Sequence, residues 1–105
     1  MTTLNAKQPI CLSSLKILSD YWTLRLIDEL SDGSSLRFNE LERRIAGVNT
    51  ATLSKRLKDM QADGLITRSE KSRADVDYSL TSLGKQAVPI LEAVNNFSSA
   101  AKKAN

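Results

Sequence analysis

Histidine is absent from all 105 residues, which removes the usual general base near neutral pH and the commonest nitrogen ligand for metals. A single cysteine, Cys11, can form neither an internal disulfide nor a thiolate metal site. The four glycines are scattered, so no glycine-rich phosphate loop exists. Serines and carboxylates are present, but without these partners they do not make an active site. An enzyme is therefore the weakest function class, and neither metal nor cofactor is expected. No apolar run approaches the roughly 20 residues that cross a bilayer. The first residues also lack the basic-then-apolar order of a secretion signal. A cytoplasmic protein without membrane contact is the expectation, and no repeat, low-complexity block or linker is visible.

The length suits one small domain over residues 1–105, with a core modest enough that a second copy would help cover leftover apolar surface. A net charge of +3 leans basic, which is compatible with nucleic acid only if the cations cluster. Along the chain, 1–9 is polar and unpatterned and reads as a mobile tail. Leu12, Leu15 and Leu18 share one helical face, and Ser19-Asp20 breaks and caps. A second helix follows with Trp22, Leu26, Ile27 and Leu30, ending at Ser31-Asp32-Gly33. Trp22 reads as core or subunit contact. Leu36-Arg37-Phe38 alternates like a stub of strand, and Asn39 with Glu42 makes a capping-box pattern for a short third helix. In that helix Leu41 and Ile45 face inward while Arg43 and Arg44 face out.

Gly47 then supplies a turn, and residues 49–62 read as the central helix. Leu53, Leu57 and Met60 make its apolar stripe; Ala51, Lys55 and Lys58 lie opposite, flanked by Thr50, Thr52, Ser54 and Arg56. Such a face suits a DNA major groove, with short polar side chains near base edges and cations near phosphates, although a plain solvated face looks the same. Two helices joined around a glycine form a helix-turn-helix pattern. Beyond Gly64 the period becomes two: 65–68 and 76–80 read as strands, and the polar segment 69–75, with Lys71 and Arg73, reads as a wing. From Thr81 a last helix carries Leu83, Ala87, Ile90, Leu91, Val94 and Phe97, bent at Pro89, with 98–105 fraying. Its stripe exceeds what one small domain can bury and points to a twofold partner. The fold class is thus mainly α with a small β-hairpin wing, a winged helix-turn-helix.

Tyr21-Trp22-Thr23, Leu36-Arg37-Phe38-Asn39-Glu40-Leu41, Gln61-Ala62-Asp63-Gly64-Leu65 and Val76-Asp77-Tyr78-Ser79-Leu80-Thr81, with Gly84 and Pro89, resemble the HxlR-type transcriptional regulators over roughly Leu12 to Phe97. The resemblance implies a homodimeric, MarR-like DNA-binding protein, with 12–30 and 81–97 as dimerisation helices. It implies a reading helix containing Thr50, Ser54, Lys55 and Arg56, backbone contacts near Arg37 and Asn39, and wing cations at Lys71 and Arg73. Some members of the family carry an N-terminal redox-sensing cysteine, which implies that role for Cys11 as the alternative; a plain buried thiol is the favoured reading.

The functional expectation is a sequence-specific regulator that binds double-stranded DNA at a pseudo-palindromic operator. Thr50, Thr52, Ser54, Lys55 and Arg56 face bases or adjoining phosphates, and Lys58, Arg37 and Arg43 mainly neutralise phosphate. A small effector between Trp22 and the first and last helices is compatible with this. The alternative is a winged-helix module used only for protein–protein contacts.

Overall fold

Extended backbone at Asp20 and a carboxylate accepting the Thr23 amide at 2.8 Å start the first helix that packs deeply. In the computed structural model, which describes residues 12–104, that helix is α2 (Tyr21–Glu29), preceded by α1 (Leu12–Leu18). After it come α3 (Phe38–Arg44), α4 (Thr50–Ala62), the antiparallel strands β1 (Ile66–Ser72) and β2 (Asp75–Leu80), α5 (Ser82–Lys85) and α6 (Val88–Ala104). Leu26, Ile27 and Leu30 from α2 and its end meet Leu41 and Ile45 of the third helix and Leu53, Leu57 and Met60 of α4. Leu36, Ile66, Tyr78 and Leu80 close the core from the hairpin side. The winged helix-turn-helix order is therefore present as expected.

Gly47 makes the turn between α3 and α4 at φ +85°, a conformation costly for any residue with a Cβ. Asn49 then caps α4, its Oδ1 accepting the Thr52 amide at 2.7 Å. Replacing it with Ala is expected to cost about 1 kcal/mol. The corresponding fall in thermal midpoint is about 4–8 °C for a domain of this size, read by circular dichroism.

Several boundaries differ from expectation. The third helix starts one residue after Arg37, not after Asn39: Arg37 is the N-cap and Glu40 Oε1 accepts its amide at 3.1 Å. The reason is tertiary, because paired backbone bonds between Leu36 and Tyr78 make only Leu36 the strand stub and turn the chain into helix at Phe38. Asn39 is left as an exposed residue inside the helix, and Glu42 accepts instead from the Thr50 hydroxyl. The wing is a ladder, not a polar loop over 69–75. β1 and β2 continue to a two-residue turn at Arg73-Ala74, and Lys71 is the bulged residue between the pairs Glu70↔Val76 and Ser72↔Asp75. Neither turn residue has positive φ, so the mirror-image hairpin turns are absent; the bulge adds the twist they normally supply.

In α1 the packed residues are Ile17 and Leu18, while Leu15 is half-exposed. The single bent helix expected from Thr81 is two helices. Pro89 sits in the first turn of α6, where its missing N–H is least costly, and the break falls before it at Gln86-Ala87. Helix α6 runs to Ala104, beyond the point where fraying was expected, and every residue from Glu92 to Lys103 is exposed.

Candidate nucleic-acid interface

The stripe Leu53, Leu57 and Met60 holds α4 against the core and so determines which residues face solvent. At 3.6 residues per turn the opposite side is Ala51, Lys55, Lys58 and Ala62, all exposed, with Thr52 beside them. Lys55 forms a 3.2 Å pair with Asp59 one turn on, an exposed contact of little energetic weight. Lys58 has no acidic partner among the described residues, and the same holds for Arg43, Lys71 and Arg73, each exposed. These cations are available to an outside anion.

Thr50, Arg56 and Arg37 are engaged within the chain. Thr50 donates its hydroxyl to Glu42, joining the start of α4 to the third helix. Ser54 lies at the flank, partly covered. Arg56 turns away from the exposed face: Nε lies 3.0 Å from Asp20 Oδ2 and Nη1 3.5 Å from Asp59 Oδ2. Asp20 Oδ2 already accepts the Thr23 amide and hydroxyl, each at 2.8 Å. Nε meets that oxygen at an angle too poor for a hydrogen bond, so it is buried beside a charge without one. Arg37 is also committed. Its Nη1 donates to the Ala74 carbonyl at 2.9 Å and its Nη2 to Asp75 Oδ1 at 2.8 Å, across to the wing turn.

Burial pushes the Asp20 carboxyl up, but the Thr23 amide and hydroxyl and the Arg56 charge together outweigh it, leaving the value below that of an ordinary aspartate. A depressed folded-state value means that the stabilisation is complete above the unfolded value of about 3.9 and is lost as pH falls through the folded one. Urea midpoints measured against pH are expected to fall below about pH 4 more steeply in the wild type than in Asp20→Asn, which retains a capping oxygen without the charge. Equal slopes would remove Asp20 from the acid response.

A family model for HxlR-like helix-turn-helix proteins matches residues 17–105. The chain belongs to that family. It is 37% identical over 81 residues to the uncharacterized HTH-type transcriptional regulator BH0655 of Halalkalibacterium halodurans, covering 75% of this chain and 72% of the relative. It is 35% identical to the HTH-type regulator YdzF of Bacillus subtilis, covering 75% and 74%. Among solved structures, one from Porphyromonas gingivalis assigned to the MarR family of regulators superposes with a TM-score of 0.78 at 29% identity, covering 93% and 96%. The redox regulator HypR, in its oxidized form, superposes with a TM-score of 0.76 at 25% identity, covering 85% and 93%. This HxlR-family chain is thus a transcriptional regulator of helix-turn-helix type with a MarR-like fold.

Cys11, the candidate redox residue, lies outside the described residues. No described helix is long and apolar enough to cross a membrane. The apolar groove on the first and last helices, about 240 Å³, is lined by Ile17, Leu18, Leu65, Leu83, Ala87 and Ile90. Trp22 is not part of it; its ring packs edge-on to Tyr21 with centroids 4.9 Å apart and is partly buried against the core. Two features have no signal in the sequence: the Arg37 contact to the wing and the Asp20–Arg56 pair. Each joins residues more than 30 positions apart, and no local spacing marks such a pair.

Proposed function

We propose that this HxlR-family regulator acts in the cytoplasm as a homodimer on a pseudo-palindromic operator, with α4 in the major groove and the wing along the backbone or minor groove. The observation that carries the reading is a group of exposed cations without acidic partners among the described residues, Arg43 on the third helix, Lys58 on α4 and Lys71 and Arg73 on the wing, on a helix-turn-helix scaffold. Thr52 and Lys55 face the bases, with Ala51 permitting close approach. Lys58, Arg43, Lys71 and Arg73 neutralise phosphate. Thr50 and Ser54 border the reading face, and Arg56 supports it from behind. Asn39, exposed in the first turn of the third helix, lies where a backbone contact is expected.

Dimerisation through α1 and α6 is supported by the apolar surface they leave open. Leu15, Ile90, Val94 and Phe97 are 50%, 42%, 49% and 74% exposed. The outer half of α6 is exposed from Glu92 to Lys103, and an unsupported helix of this length is marginal in water. An effector is the finer part of the reading: a thiol sensor at Cys11, in keeping with the likeness to HypR, would appear as oxidant-dependent loss of operator binding that Cys11→Ser abolishes.

Selection of bound sequences from a random duplex pool, followed by footprinting, tests the proposal. A twofold-symmetric site with half-sites about one helical turn apart is expected. No enrichment over the starting pool would overturn it.

A further inference from the structure

The wing projects from the body as a two-stranded ribbon, and only its base is well anchored. Ile66, Tyr78 and Leu80 are buried, and Tyr78 exchanges backbone hydrogen bonds with Leu36. Toward the tip, β1 is exposed throughout and Val76 makes partial apolar contact with the core. Two-stranded ribbons are marginally stable alone, so an outer half held this lightly should open often. One hydrogen-bonded tether crosses from the body to that outer half among the described residues. It is the Arg37 guanidinium, forked between the Ala74 carbonyl and the Asp75 carboxylate.

We infer that Arg37 is a positioning residue that straps the wing turn to the start of the third helix, and so sets where Lys71 and Arg73 meet the DNA backbone. Arg37 is itself in place: its amide is held by Glu40, and Leu36 beside it is buried and paired to β2. A planar guanidinium with two donors in fixed geometry suits such a double contact, which a lysine ammonium does not reproduce. Because the side chains are 54% and 36% exposed, the strap adds little to global stability; its effect is local to the wing. The purpose of the strap rests on the DNA-binding reading above, but its existence does not.

The two roles open to Arg37 predict opposite signs for Asp75→Ala. If Arg37 merely contacted phosphate, removing the neighbouring carboxylate would free it and strengthen DNA binding. If Arg37 is the strap, Arg37→Ala, Arg37→Lys and Asp75→Ala each weaken binding to the selected operator by about fivefold, the factor of one exposed hydrogen-bonded ion pair. The Arg37→Ala, Asp75→Ala double variant then binds no worse than either single variant. Thermal midpoints stay at the wild-type value, which separates positioning from a general loss of stability.

Hydrogen exchange on the free protein reads the strap without DNA. Amides between Ser69 and Val76 should exchange about fivefold faster in each variant, with those at Ile66 and Leu80 unchanged. Unchanged outer-wing exchange, or tighter DNA binding by Asp75→Ala, would overturn the inference. Failure of the wild type to bind any duplex would sink the DNA reading instead, and the exchange result would still decide the strap.

Discussion

Gly84→Ala is expected to lower the thermal midpoint by roughly 15 °C, the largest loss foreseen for so small a change in this chain. A Cβ at this position would lie 2.1 Å from the Leu65 carbonyl oxygen and 3.0 Å from Leu80 Cδ2. The oxygen has nowhere to go. It accepts the Thr81 amide at 3.0 Å, while the Thr81 hydroxyl donates to the Gly64 carbonyl at 2.6 Å and accepts the Gly84 amide at 3.0 Å. Relief of the clash must break this knot, in which the end of α4, the base of the wing and the start of α5 are tied together. Overpacking usually costs about 1–3 kcal/mol, and a buried carbonyl left unpaired adds about 1–3 more. The better helix propensity of alanine returns only about 1 kcal/mol. Gly47→Ala is the control. Its Cβ would meet nothing closer than Trp22 Cη2 at 3.9 Å, so only the positive-φ cost of about 1–2 kcal/mol remains. Melting of Gly84→Ala within a few degrees of the wild type would show that the close approach at Leu65 is not maintained.

Replacing Lys55, Lys58, Lys71 and Arg73 together by Ala is expected to weaken DNA binding on the order of 10²–10³-fold at physiological salt. The slope of log affinity against log salt should shrink by about 0.9 for each phosphate that is no longer neutralised. All four side chains are exposed, and among the described residues the one ion pair sacrificed is Lys55–Asp59 at the surface, so the fold should melt close to the wild-type temperature. Fluorescence anisotropy with the selected operator and a scrambled duplex, each at several salt concentrations, reads both quantities. An equal drop in affinity for the two duplexes would make the four residues electrostatic only. A larger drop for the operator would place Lys55 at a base edge. An unchanged slope would move the interface elsewhere on the molecule.

Arg56 marks the limit of what local pattern can tell. Its position three residues after Leu53 places it at the border of the apolar stripe, from which a long side chain can reach either solvent or the body. Its direction is decided by Asp20, which precedes it by 36 positions and comes near only when α2 packs on α4. Arg37 is the same case: the sequence suggests a phosphate contact, but Asp75 claims the side chain once the hairpin folds back. The strands of the wing look short in the sequence because 69–75 is polar almost throughout. Ladder hydrogen bonds between backbones do not need an apolar face, so the hairpin continues past the point where the pattern ends.

Local sequence was enough for the element order as far as Leu80, the inward residues Leu41, Ile45, Leu53, Leu57 and Met60, the cap at Ser19-Asp20 and the turn at Gly47. Periodicity, capping and positive φ are properties of a few neighbouring residues, and they act before any distant contact forms. Only the tertiary structure decided which cations remain free. A guanidinium or ammonium is available to phosphate when no carboxylate lies within reach, and the carboxylates in question come from other helices and strands. The packing that builds the core is therefore also what sorts Lys58, Lys71 and Arg73 from Arg37 and Arg56.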